Sequence, residues 1–374
     1  CIRDRYDTTD YYQIDPSFGT TEDLKELVQK AHERGMKVVL DAVYNHTGRE
    51  FFAFADILEN GEKSKYRDWY FIDGFPLKSE WGEIPNFKCF GYYGGMPKLN
   101  LKNPEVEKYI TDVACYWIKE CDIDGWRLDV GDEISHFFWK NFRKAVKAVK
   151  KDMLIIGEIW HYAGDFLEGD EWDTVMNYPF YLNLIDLLAD EKITVSQFVQ
   201  NLGYLKGRLH KNCYPLMWNL IDSHDTARFL HLCNDNKKKQ HLAAAFQLLL
   251  PGMPMIYYGD EYAMPGANDP DCRRGMYWDE EYQDKEMYEW YKRLIQVRKS
   301  HACIVEGELA GSVTEDEEGT VVLIRKNGEE TIAMIFNCSS SAKKFNEYTQ
   351  KYNLLTENTF DGNVEGFDAA VIVL

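Results

Sequence analysis

Long hydrophobic runs are missing from this 374-residue chain. No stretch approaches the ~18 consecutive apolar residues that cross a bilayer, and no signal-like apolar segment follows a basic start. Positive charge is scarce as well. Lys and Arg number 43 against 62 Asp and Glu, a net charge of −19, which argues against a phosphate-neutralising nucleic-acid surface and against an anionic membrane as partner. The nine cysteines never fall into C-x-x-C spacing, so neither a zinc cluster nor a dithiol redox pair is encoded. Free thiols in a reducing cytoplasm are the expected state. A glycine-rich loop after the first apolar run is also lacking, which lowers the nucleotide-binding option. Aromatic rings are plentiful: 10 Trp, 24 Tyr and 20 Phe. Core packing accounts for most of them, and flat ring faces suit sugar stacking.

Short apolar runs of strand length recur, each followed by a longer segment with helical apolar spacing, and this alternation implies a parallel sheet. The runs are Lys37 to Val43, Ile123 to Val130, Met153 to Trp160, Thr174 to Tyr178, Leu216 to Asp225 and Met255 to Glu261. Helices are expected over Thr21 to Gly35, Pro104 to Glu120, Ser135 to Lys151, Lys237 to Leu250 and Glu281 to Lys299, with Thr20 or Thr21 and Pro104 as start signals. Polar residues gather near the C-terminal ends of the runs: Asp41 with Asn45 and His46, Asp129, Glu158, Asn177, and His224 with Asp225. In a (β/α)₈ barrel that end is the catalytic face, and a doubly wound sheet gathers polar groups there too. The span 47–103 breaks the rhythm and reads as an inserted loop domain, rich in rings such as Trp69, Trp81 and Phe90. The barrel is then assigned to 1–46 and 104–301. After about Ala302 the helices give way to β-prone runs such as Thr320 to Ile324 and Thr331 to Phe336, expected to form a C-terminal antiparallel β-sandwich over 302–374.

Asp129, Glu158 and Asp225 are three carboxylates on three strand ends, the set that glycoside hydrolysis needs. Glu158, flanked by Ile156, Ile159 and Trp160, suits the proton donor, whose proton must be retained at working pH. Arg127, two residues before Asp129 and on the same strand face, would hold Asp129 ionised as nucleophile. His46 and His224 can donate to sugar hydroxyls. Each residue alone also has a structural reading. Asp129 before Gly131 could be a turn residue, Asp225 a helix cap, and the histidines satisfied core or loop groups. Glu158 resists such a reading, because an unpaired carboxylate in an apolar strand is costly.

The segments Asp41-Ala42-Val43-Tyr44-Asn45-His46, Gly125-Trp126-Arg127-Leu128-Asp129-Val130, Gly157-Glu158-Ile159-Trp160 and Ser223-His224-Asp225 resemble, in order and spacing, the four signatures of the α-amylase superfamily, glycoside hydrolase family 13. Met96-Pro97-Lys98-Leu99-Asn100 is similar to the extra signature of the neopullulanase, cyclomaltodextrinase and maltogenic amylase subgroup. The stretches Arg5 to Tyr11, Gly252 to Pro254 with Tyr258 to Glu261, and Asp269 to Arg274 are similar to flanking stretches of that subgroup. The resemblance implies a TIM barrel with an inserted loop domain and a C-terminal antiparallel β domain. It implies Asp129 as nucleophile, Glu158 as acid/base and Asp225 as the carboxylate that grips sugar hydroxyls. Arg127, His46 and His224 would line the pocket, Asp41 would support it, Tyr6 would stack on the sugar, and Asn177 and Arg273 would assist. The implied activity is double displacement at α-1,4 and also α-1,6 glucosidic links of cyclodextrins, maltooligosaccharides or pullulan. No cofactor is required. Calcium near the inserted domain is an option, with Asn45 the one candidate ligand.

Two departures stand out. After Val130 the subgroup usually reads Ala-Asn-Glu, whereas this chain has Gly131-Asp132-Glu133, with Glu133 near the leaving-group side. Tyr6-Asp7 matches the loop after the second barrel strand, so the first two strands and an N-terminal dimerising domain are expected to precede this sequence. A homodimer is expected only with that domain, and a cytoplasmic location is expected unless a leader precedes Cys1. Competing readings are an oligo-1,6-glucosidase-like or trehalose-forming relative, which Lys98 opposes, and a non-catalytic glycan-binding protein on the same fold.

Overall fold

The structure is a computed structural model that describes residues 6–78, 84–210 and 212–374. Cys1, Arg5 and Trp81, named above, lie outside the described residues. The chain forms two compact units: residues Cys1–Ile159 with Ala163–Val175, and Trp160–Tyr162 with Met176–Leu374.

The first unit begins with helix α1 (Thr21–Glu33). The Thr20 hydroxyl accepts the Asp23 N–H at 3.2 Å while the Asp23 carboxylate accepts the Thr20 N–H at 2.7 Å, a reciprocal cap that satisfies two of the helix's orphan donors. Strand β1 (Val39–Ala42), helices α2 (Phe52–Asn60) and α3 (Pro104–Cys121), strand β2 (Gly125–Leu128), helix α4 (His136–Val149), and strands β3 (Leu154–Gly157) and β4 (Thr174–Val175) follow. Asn103 caps α3 and Pro104 opens it, where a missing N–H costs nothing. The four strands form one parallel sheet in the order β1-β2-β3-β4, and every residue of β2 is buried. Much of the aromatic excess is local packing. Phe52 meets Tyr66 and Trp69 edge to face at 5.2 and 5.7 Å, and Trp69 lies 5.6 Å from Tyr109.

The second unit holds helices α5 (Tyr178–Leu184) and α6 (Val195–Arg208), strand β5 (Trp218–Asn219), helices α7 (Phe229–Leu232) and α8 (Lys237–Leu249), strand β6 (Met253–Pro254), and helices α9 (Lys285–Ser300) and α10 (Ala302–Glu306). Strands β5 and β6 are parallel, and Met176 bridges Trp218 in the same sense. Strands β7 (Glu308–Glu315), β8 (Thr320–Asn327), β9 (Glu330–Asn337), β10 (Lys343–Lys344), β11 (Tyr352–Asn353), β12 (Asn358–Thr359), β13 (Asn363–Val364) and β14 (Asp368–Val373) complete the chain. Six of them form an antiparallel sheet ordered β12-β11-β14-β9-β8-β7. The two-residue side-chain period divides this sheet's core. Val321, Leu323, Met334 and Phe336 join the cluster that includes α8 and α9, while Val322, Ala333 and Ile335 pack with Phe345, Phe360 and Val364.

The structure departs from the sequence reading in three places. The run Met255 to Glu261 is not the paired strand: β6 is Met253–Pro254, and Asp260–Tyr262 is a 3₁₀ turn behind Gly259 at φ 91°. Apolar content alone does not separate strand from turn in a short run. Helices α2, α5, α6 and α7 escape the reading, and α5 continues into a π-helical turn over Ile185–Ala189. Helix also persists beyond Ala302, in α10.

Candidate active site

Arg127 is the hub of the first unit. It lies on β2 in register with Asp41 of β1 and Ile156 of β3, so its guanidinium sits where three strand ends meet. Its Nη1 donates to Asp41 Oδ1 at 3.0 Å and to Asp129 Oδ1 at 2.7 Å, and its Nη2 lies 3.0 Å from Glu158 Oε2. The ladder continues past the strands to place the two carboxylates: Asp129 N–H donates to the Ala42 carbonyl at 3.1 Å and Glu158 N–H to the Leu128 carbonyl at 3.0 Å. The Asp129 and Glu158 side chains are only 8% and 7% exposed, whereas Asp41 is 38% exposed. The Tyr6 hydroxyl donates to Asp41 Oδ2 at 2.7 Å. Burial, reinforced by Asp41, raises the Tyr6 phenol well above its usual value, which keeps it a donor. His46 is fully buried, stacked on Phe90, with Nε2 at 3.1 Å from the Tyr6 carbonyl.

Three carboxylates therefore share one guanidinium, and this corrects the expectation that Arg127 keeps Asp129 ionised. Burial, joined by the charges of Asp41 and Glu158, outweighs Arg127 and pushes the Asp129 carboxyl up to about 8. Glu158 is not left against an apolar wall either, since its Oε2 also accepts the Val130 N–H at 2.9 Å. That donor is aimed by unusual backbone. Val130 adopts φ 47°, ψ 42°, a left-handed conformation that a β-branched residue resists at a cost of about 1–3 kcal/mol. Nothing in the sequence marks Val130 for this role. A second contributor the sequence reading missed is Trp172. A Cβ at Gly157 would lie 2.1 Å from its ring and one at Gly131 would lie 2.8 Å away, so glycine at both positions lets the indole fill the space beside β3. A glycine at a strand end is the signal that could have found it. It also explains Gly131, one of the departures noted above.

Glu133 and Asn45 form a neighbouring group. Lys98 Nζ lies 2.6 Å from Glu133 Oε2 and 3.2 Å from the Glu133 carbonyl, and Asn45 Nδ2 donates to Glu133 Oε2 at 3.3 Å. Asn45 Oδ1 is buried without a hydrogen-bond partner. These residues do not fit calcium, which takes six to eight oxygens: the Lys98 ammonium already occupies the only carboxylate among them. Among the described residues no cluster of three or more His, Cys, Asp or Glu is placed to hold a metal ion.

In the second unit, Arg273 Nη2 pairs with Asp225 Oδ1 at 3.2 Å, Arg273 Nε donates to the His224 carbonyl at 2.9 Å, and His224 Nε2 lies 3.1 Å from Asp225 Oδ2. The Ser223 hydroxyl accepts the Asp225 N–H at 3.1 Å, which fixes the turn, rather than Asp225 serving as a helix cap. Beneath it, Arg228 and Asp260 form an ion pair of 3.1 Å at 0% and 1% exposure, and Asp222 Oδ2 accepts the Phe229 N–H at 2.7 Å. Burial raises both the Asp222 and Asp260 carboxyls. Asn177 is fully buried, and its amide is used within the scaffold: Nδ2 donates to Asn219 Oδ1 at 2.8 Å while Oδ1 accepts the Phe180 N–H at the start of α5.

Comparison with known proteins places the chain in a family. The family model for the alpha-amylase catalytic domain matches residues 3–307, and the chain belongs to the alpha-amylase family. Its relatives carry the names of the subgroup that the motifs indicated. A cyclomaltodextrinase of Geobacillus thermopakistaniensis is 47% identical over 338 residues, 90% of this chain and 57% of that protein. Neopullulanase 2 of Thermoactinomyces vulgaris is 43% identical over 334 residues, 89% of this chain and 57% of that protein. A solved cyclomaltodextrinase superposes with a TM-score of 0.92 at 39% identity, over 98% of this chain and 65% of that one. The fold is thus the α/β TIM-barrel type with a C-terminal antiparallel sheet. The chain spans about three fifths of the length of the curated relatives it matches.

Proposed function

We propose that this chain carries the catalytic machinery of a retaining α-glucan hydrolase, acting on α-1,4 and also α-1,6 glucosidic bonds of cyclodextrins, maltooligosaccharides or pullulan. The observation that carries this reading is the single guanidinium of Arg127 holding Asp41, Asp129 and Glu158 together. Asp129 is assigned as nucleophile and Glu158 as acid/base, with Asp225 gripping sugar hydroxyls as its motif implies. Asp129 must be bare to attack, and its carboxyl is pushed up to about 8, so attack requires that this proton first leave. Catalysis requires a proton on Glu158 and a bare carboxylate on Asp129. The Asp129 carboxylate then attacks the anomeric carbon while Glu158 protonates the leaving oxygen, and Glu158 next deprotonates the water that releases the sugar.

Tyr6, Arg127, His46, His224 and Arg273 are assigned to sugar binding and Asp41 to its support, with Asn177 acting through the scaffold. Glu133, held by Lys98, is assigned to the leaving-group side. A cytoplasmic location is supported by the eight described cysteines, all free thiols, and by a 42% identical relative named intracellular maltogenic amylase from Bacillus subtilis.

Incubation of the natural protein with γ-cyclodextrin, maltotriose and pullulan, followed by product chromatography, tests the reading. Ring opening with maltose, and panose from pullulan, is expected. Absence of turnover on all three would overturn it in favour of a glycan-binding protein.

A further inference from the structure

The second unit carries a groove that the proposed chemistry does not use. It is a cavity of about 390 Å³ lined by residues that include Tyr162, Asn183, Asp186, Asn201, Tyr204 and Arg208, within the ~300–1,000 Å³ span of small-ligand pockets. Its walls combine open ring faces with fixed polar groups. Tyr204 is 67% exposed; Trp160, 40% exposed, stacks one ring face on Tyr178 at 3.9 Å, and the apolar Leu182 beside it is 44% exposed. The Arg208 guanidinium lies 4.0 Å from the Tyr162 ring centroid and 5.4 Å from that of Tyr204, and the Tyr162 hydroxyl donates to the Arg208 carbonyl at 2.8 Å. The two rings are therefore held around one cation rather than left to swing.

The polar floor is equally fixed. Asn183 is 7% exposed, with Nδ2 donating to the Phe198 carbonyl at 3.1 Å and Oδ1 accepting from Asn201 Nδ2 at 2.8 Å. Asp186 belongs to the π-helical turn Ile185–Ala189 and is 41% exposed, with Lys192 at 3.7 Å. π-turns are rare and occur frequently at functional sites. In this chain the extra residue in the turn accompanies an acceptor on the groove wall.

We infer that this groove binds a segment of α-glucan away from the cleaved bond, a hold on long substrates; the inference rests on the proposed α-glucan reading. A glucose unit has an apolar C–H face and an edge of hydroxyls, which match an exposed tyrosine ring beside fixed amide and carboxylate groups. A phosphorylated ligand fits poorly, because the one guanidinium on the wall is covered by two rings and Asp186 is negative.

The test compares wild type, Tyr204→Ala and Tyr204→Phe on maltotriose and maltoheptaose. Tyr204 is exposed enough that its truncation leaves the fold intact. Tyr204→Ala is expected to raise KM for maltoheptaose roughly three- to tenfold, the loss of one ring contact, with kcat and the maltotriose constants unchanged. Tyr204→Phe keeps the ring and is expected to behave as wild type. Equal KM for maltoheptaose in all three proteins would overturn the inference. If wild type hydrolyses neither sugar, the proposed function fails, and calorimetric titration with maltoheptaose judges the groove separately. Weaker binding by Tyr204→Ala than by wild type supports it; equal binding, or none, overturns it.

Discussion

Two clusters of nearly the same composition serve different ends in this molecule. Around Arg127 stand Asp41, Asp129 and Glu158; around Arg228 stand Asp260 and, close by, Asp222. The first keeps Asp41 at 38% exposure and the guanidinium at 10%, so a substrate hydroxyl can reach it. The second is sealed at 0–1%. Residue type does not distinguish the proposed reaction centre from a scaffold. Access does, because a sealed ion pair can exchange neither proton nor ligand, whereas a cluster at strand ends can do both.

The sharpest separation comes from Asp129→Asn. It is expected to lower kcat on γ-cyclodextrin roughly 10⁴-fold or more while glucan binding, followed by calorimetry, persists. The same change relieves a buried acid. The folded protein holds the Asp129 proton to about 8, whereas the unfolded chain releases it near ~4, so this group lowers stability as pH rises from about 4 to about 8 and has no further effect above. The variant should therefore melt a few degrees above wild type at pH 8 and level with it at pH 4. Retained activity would break the distinction between the clusters.

Arg228→Met should act on stability first. It leaves two buried carboxyls without their cation, at a cost of about 3–5 kcal/mol, read as a lowered urea midpoint. A midpoint equal to wild type would show that the sealed cluster is not structural. A pH profile then probes the open cluster alone. Below about 8, where Asp129 holds its proton, kcat/KM should rise about tenfold per pH unit as the nucleophile becomes bare; a flat profile from about pH 5 to about pH 8 would sink the assignment of Asp129 as nucleophile. The smallest effect is expected from Gly157→Ala, whose Cβ would lie 2.1 Å from the Trp172 ring. Overpacking there should cost about 1–3 kcal/mol and lower kcat through Glu158 next door. An unchanged melting temperature would mean that Trp172 moves freely.

Much of this was legible before any coordinates. The parallel sheet, the strand-end carboxylates and the C-terminal sheet follow from short-range periodicity and from motifs whose spacing survives in one dimension. The Asp41, Arg127, Asp129 and Glu158 set was named from strand ends, and the structure joins all four. Other features were not legible. Met255 to Glu261 has strand composition but turns at Gly259. Asn177 reads as a site residue but spends its amide on Asn219 and α5.

The sequence by itself determined which side chains could do chemistry and which strand each would end, because alternation and spacing act along the chain. Tertiary structure alone decided their electrostatics. The Asp129 proton affinity depends on burial and on Asp41 and Glu158, charges 88 and 29 positions away in the chain. The left-handed turn at Val130, the indole of Trp172 against Gly131 and Gly157, and the sealing of Arg228 likewise arise only when distant segments meet. Desolvation and Coulomb energy depend on distance through space, which sequence separation does not encode.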